Sequence, residues 1–110
     1  MATIVPKLLY IGNQQSGSVY SAPSEEGGYA IIKSINVANT SDTPQLFSIN
    51  LILSGFALNP SNVIVGNVTL TGNNVFSYET SIVMPEGSSL SISQPSNSLT
   101  FTVSGVEYVI

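Results

Sequence analysis

Hydrophobic and polar residues alternate with a period of two along most of this chain. The clearest instance spans residues 29–53. Ile31, Ile35 and Val37 fall on one side of an extended backbone, opposite Ser34, Asn36 and Ala38. After a polar break, Phe47, Ile49, Leu51 and Leu53 alternate with Leu46, Ser48, Asn50 and Ile52. Successive side chains of a strand point to opposite faces, so this pattern predicts two half-buried strands. The break, Asn39-Thr40-Ser41-Asp42-Thr43-Pro44, is turn chemistry: short polar side chains bond nearby backbone, and proline removes a donor. Together the segments predict a long antiparallel hairpin at the centre of a sheet.

The same period recurs along the chain. Leu8-Leu9-Tyr10-Ile11 follows Pro6, whose missing N–H suits a sheet edge, so residues 1–12 are an N-terminal arm or edge strand. Residues 19–22 form a short strand before a loop carrying Glu25 and Glu26. Pro60 disfavours a helical conformation at Asn59. Gly66 interrupts residues 62–70 and predicts a bulge or a close backbone contact. Phe76, Tyr78 and Ile82 share one register of the next segment; Leu90 with Ile92, then Leu99, Phe101 and Val103, alternate with serine and threonine. Gly105 breaks the pattern before Val106. About eight strands separated by turn signals, with no helical period, predict an all-β fold. We read residues 1–110 as one antiparallel β-sandwich domain, jelly-roll-like. Its expected core is Ile35, Val37, Phe47, Ile49, Leu51, Leu90, Ile92, Leu99, Phe101 and Val103.

Composition changes the picture in one respect. Only 7% of residues are charged, against about 25% in ordinary soluble domains. Serine, threonine, asparagine and glutamine must cover the surface, and low charge leaves little repulsion between copies. Lys7 and Lys33 are the only basic residues and the net charge is −4, which excludes nucleic acid and anionic membrane surfaces as electrostatic partners. No run approaches the length of a membrane span and no signal-peptide pattern opens the chain, so synthesis in a host cytoplasm is expected.

Candidate chemistry is sparse. Histidine and cysteine are absent, which removes His-based general bases, catalytic triads and credible zinc sites. The glutamates are scattered, and Glu25 and Glu26 are adjacent, so no pair of carboxylates is set for glycoside hydrolysis. Asp42 beside Asn39 and Ser41 offers oxygens, but no calcium-loop spacing accompanies them. The sequons at Asn39 and Asn67 are expected by chance in so Asn-, Ser- and Thr-rich a chain. No enzyme activity and no cofactor are expected. The five tyrosines, Tyr10, Tyr20, Tyr29, Tyr78 and Tyr108, suit a core or an interface better than a sugar-stacking platform, though a glycan-binding module stands as the alternative of another class.

Four stretches carry a likeness. Val19-Tyr20-Ser21-Ala22-Pro23, a glycine-containing loop, and the run from Ala30 through Lys33-Ser34-Ile35 to Asn39-Thr40-Ser41 resemble a recurrent pattern in small structural proteins of tailed bacteriophages. Met84-Pro85-Glu86-Gly87-Ser88-Ser89-Leu90 and Val103-Ser104-Gly105-Val106-Glu107 are similar to its second half. The resemblance implies a place in the virion as a capsid decoration (cement) subunit, or as a neck, tail or fibre component. It brings no catalytic residues.

Assembly is expected on two grounds. Low charge favours self-association, and a small sandwich has sheet edges to cover. A homo-oligomer is expected, a trimer ahead of other states, with the major capsid protein among its other partners. Residues 3–11 and 106–110 are apolar, whereas chain termini are commonly polar and frayed. Either they pair with each other at a sheet edge, or at least one docks on a neighbouring subunit. Leu8, Leu9, Tyr10, Ile11, Tyr108 and Ile110 are the interface candidates they offer. Lys33, in an apolar register, either snorkels at a sheet margin or pairs with an acid such as Glu25, Glu26 or a neighbouring chain's carboxylate.

Overall fold

The computed structural model describes residues 3–24, 26–57 and 62–109. The period-two segments become β1 (Thr3–Gly12), β2 (Ser16–Ser21), β3 (Tyr29–Asn39), β4 (Gln45–Ile52), β5 (Val63–Leu70), β6 (Val75–Met84), β7 (Ser89–Ser93) and β8 (Leu99–Val109). They form two four-stranded sheets, in the orders β1-β8-β3-β6 and β2-β7-β4-β5, and every pairing is antiparallel. Within them β1 pairs with β8, β2 with β7, β3 with β6 and β4 with β5. The chain is thus one long antiparallel ribbon folded over on itself, and β3–β8 and β4–β7 pairing closes each sheet. This is the jelly-roll sandwich that the alternation predicts.

The central hairpin is corrected. β3 and β4 lie in different sheets and do not pair. Their apolar faces meet across the sandwich instead of lying side by side. Phe47 of β4 packs edge-on against Phe101 of β8 and Phe76 of β6, with ring centroids 5.7 and 5.5 Å apart. The polar break between them is a corner, and Asn39 builds it. Its Oδ1 accepts hydrogen bonds from Ser41 N (3.0 Å) and Ser41 Oγ (2.7 Å). Its Nδ2 reaches the carbonyls of Thr43 (2.8 Å), Leu70 (3.0 Å) and Thr71 (3.3 Å), tying the corner to the β5–β6 connection. A hairpin turn would send the chain back beside β3; this amide directs it to the opposite sheet.

Register shifts correct two further expectations. Between Ile32 and Ser34, β3 carries one residue more than β8, and β6 carries one more than β3. The extra residue reverses the phase of β3, so Ala30 and Ile32 are buried before the shift and Ile35 and Val37 after it. Ile31 therefore faces out, and Ile32 takes the core position. Lys33 stands at the reversal, exposed, and donates to Ser81 Oγ at 2.8 Å. Because β3 is an inner strand, Lys33 is neither a margin lysine nor an edge guard. In β5, the Gly66 interruption is a bulge: Phe47 faces Val68 and Ile49 faces Val65, with Asn67 at φ 45°.

The core holds the expected residues, except that Leu51 is only partly buried against it. Leu9, Ala22, Ala30, Ile32, Val65, Leu70 and Met84 complete it. Gly105 does not end a strand: β8 runs through it to Val109. The two apolar terminal segments pair with each other, from Thr3 opposite Val109 to Gly12 opposite Phe101.

Candidate assembly surface

Directly opposite residues of neighbouring strands share a face. The pairings accordingly set Pro6, Val106, Ile31 and Val83 in one row across the outer face of the β1-β8-β3-β6 sheet. The next row outward holds Ile4, Tyr108 and Tyr29, and the Tyr29 and Tyr108 rings stack with centroids 4.8 Å apart at 13°. The row on the other side holds Leu8, Ser104, Ser34 and Glu79. Ile4 is 62% exposed, Leu8 53% and Val83 55%. One end of this face is therefore apolar. Toward the other end, Ile11 is the one aliphatic side chain of a row completed by Thr102, Asn36 and Ser77, with Ser77 Oγ donating to Asn36 Oδ1 at 2.7 Å. An apolar row of this kind on an outer sheet face is a candidate interaction surface.

Behind the apolar end, a polar clasp joins the two sheets. Glu107 of β8 accepts a hydrogen bond from the Tyr20 hydroxyl of β2 and pairs with Lys7 of β1 at 3.0 Å. The Tyr20 hydrogen bond holds the Glu107 carboxyl below the usual carboxylate range, with Lys7 assisting and partial burial opposing. Burial, then the Glu107 hydrogen bond and charge, push the Tyr20 phenol well above its ordinary value. The clasp favours one protonation state, a neutral phenol donating to a carboxylate, and is a structural joint.

The opposite end of the sandwich is built from amides. Gln94, 5% exposed, donates from Nε2 to the carbonyls of Gln14 (3.0 Å) and Leu99 (3.1 Å) and accepts from Leu99 N at 3.0 Å. These side chains are committed within the chain. A pocket beside Leu46, Ser48, Asn67 and Pro95 has a volume of ≈ 60 Å³, room for a few waters and not for a sugar ring. Among the described residues no group of three His, Cys, Asp or Glu converges on a point.

The expected interface residues separate. Leu8 and Ile11 are exposed on the outer face, and Tyr108 is half-buried in it. Tyr10 packs against the core, and Leu9 belongs to the core itself. Lys33 is exposed on the same sheet, outside the Lys7–Glu107 ion pair. Ile110 lies outside the described residues. Sequence reasoning missed Ile31 and Val83, and did not single out Ile4 and Val106 within the two terminal segments. The valine in the outward register of residue 83 was a legible signal; Ile31 was not, because the phase reversal at Lys33 leaves no mark in the alternation before it.

Fold and surface together define a class: a jelly-roll sandwich with one apolar outer sheet end. No protein-family model matches the sequence, and no curated protein matches it. Solved structures share the fold. A chain in the structure of infectious bursal disease virus, Gx strain, superposes with a TM-score of 0.51 at 14% identity. A chain of the T13 particle of the same virus gives 0.51 at 12%. The coat protein of tobacco streak virus gives 0.50 at 7%. The match covers 98% of this chain and 31% of the Gx-strain chain, against 99% of this chain and 86% of the tobacco streak virus coat protein. This chain thus spans under a third of the bursal disease virus chain and most of the coat protein. At these identities the likeness is one of fold.

Proposed function

We propose that this chain is a non-enzymatic structural protein of a bacteriophage virion, a capsid decoration subunit that works in many copies. The observation that carries the reading is the outer-face row of exposed Pro6 and Val83 and half-buried Val106 and Ile31, on a sandwich whose fold recurs in a plant-virus coat protein and in a chain of infectious bursal disease virus. A face of this kind needs cover, and a shell of other virion proteins, the major capsid protein first, supplies it. Low charge suits permanent contact, since little like-charge repulsion has to be overcome. The bacteriophage resemblance at residues 19–41 and 84–107 supports a place in the virion, with a neck, tail or fibre component as the near alternative to decoration.

The test adds purified protein to particles that lack it, and follows binding and particle melting. Saturable binding in symmetric copies with a raised melting temperature is expected, and Val83→Lys should abolish it while the domain stays folded. Specific retention on a glycan array with no particle binding would overturn the reading in favour of host-surface recognition. Binding confined to the neck or tail in a cryo-electron-microscopy reconstruction would overturn decoration alone.

A further inference from the structure

We propose that β6 is a homotypic pairing edge: the same strand of a second copy docks on it antiparallel, about a twofold axis through Glu79. The inference needs a second copy only and does not depend on the virion reading.

Each sandwich has four edge strands, and three are blunted. β1 carries Pro6 and a register shift between Leu8 and Tyr10. β2 is six residues long, with Gly17 at φ 113° and a shift of its own. β5 has the Gly66 bulge and Asn67 in the left-handed region. β6 runs ten residues without proline, glycine or a positive φ, and although it carries an extra residue against β3 between Glu79 and Ile82, its exposure alternates unbroken along its length.

Its sequence is self-complementary. The outward residues are Val75, Ser77, Glu79, Ser81 and Val83, which read the same in both directions. In an antiparallel pair centred on Glu79, Val75 faces Val83 of the second copy and Ser77 faces Ser81. On the inner side Phe76 faces Ile82 and Tyr78 faces Thr80. Like thus meets like at each outward position, in an isologous contact that adds four strands to four. Val75 and Val83, 61% and 55% exposed, lose their water at the two ends of the contact.

Charge decides whether the centre is tolerated. Two Glu79 carboxylates meet there, a repulsive pair if alone. Glu79 and Lys33 are the only charged residues of β6 and β3. Lys33 already reaches Ser81, the next outward residue after Glu79. Two lysines therefore flank two carboxylates, and the centre is neutral. The contact is a dimer, where the sequence favours a homo-oligomer with a trimer ahead of other states.

Sedimentation velocity on the full chain at low ionic strength tests this, with circular dichroism as the check on folding. The wild type should sediment as a dimer. Glu79→Lys and Lys33→Glu should each weaken it at least tenfold, and the double swap should restore it. Because the chain has no cysteine, introduced thiols report the register. Glu79→Cys should oxidise to a covalent dimer; Val75→Cys alone should not, and Val75→Cys with Val83→Cys should. A folded wild type that stays monomeric at millimolar concentration overturns the proposal, as does a trimer mass. A double swap that fails to recover, or cross-linking by Val75→Cys alone, overturns the charge arrangement or the register.

Discussion

Gly105 of β8 and Ile31 of β3 meet backbone to backbone: a Cβ placed on Gly105 would lie 2.0 Å from the Ile31 carbonyl oxygen and 3.2 Å from Ile32 Cα. The contact sits where β3 carries its extra residue, so the bulged strand leans into space that only glycine leaves open. The obstacle is backbone, which cannot turn aside as a side-chain tip can. Gly105→Ala is therefore expected to cost about 3 kcal/mol or more. Urea denaturation checks it; a loss below about 0.5 kcal/mol would show that the bulge relaxes freely.

The Asn39 corner makes a chemical distinction. Asn39→Asp keeps the oxygen that accepts from Ser41 but loses the donor facing the Thr43, Leu70 and Thr71 carbonyls. Asp is expected to cost about 1–3 kcal/mol, as much as Ala, because it sets an acceptor against buried acceptors. If Asp is tolerated and Ala is not, the Ser41 side of the amide carries the corner.

Phe47 touches strands of the opposite sheet through Phe76 and Phe101 and is 2% exposed. Phe47→Ala leaves a cavity between the sheets and should cost about 3–5 kcal/mol. Near-neutral stability in thermal unfolding would remove Phe47 from the centre of the core.

The Glu107 clasp gives stability a pH dependence of defined sign. The carboxyl is held below its ordinary value in the folded chain. Its stabilising contribution is present above the unfolded value of about 4.3 and is lost as pH falls through the folded value. The Tyr20 phenol is raised, so its contribution is present below an unfolded value of about 10 and declines as pH climbs above it. Melting temperature should thus fall at both extremes. Tyr20→Phe should flatten both limbs, and Glu107→Gln the acid limb above all. An unchanged acid limb in Glu107→Gln would place the acid sensitivity elsewhere.

The alternation by itself determined that this chain is an antiparallel β-sandwich, roughly where its strands run, and which side chains such as Phe47, Phe101 and Leu90 lie inside. Those properties are local: a strand with one apolar face must bury it, and the face is written in residues two apart. Alternation does not name the partner. Ile35 and Val37 are equally well covered by β4 beside them in a hairpin or by β4 across the sandwich, and the difference lies in a buried amide at Asn39 contacting residues about thirty positions away, Leu70 and Thr71. Tertiary structure also decided which of Ile31 and Ile32 faces out, because one extra residue at Lys33 reverses every side chain before it. The candidate assembly surface follows from that reversal. Its row runs through Pro6, Val106, Ile31 and Val83, residues from four separate strands. Only the pairing register, set by long-range backbone hydrogen bonds, brings them onto one face.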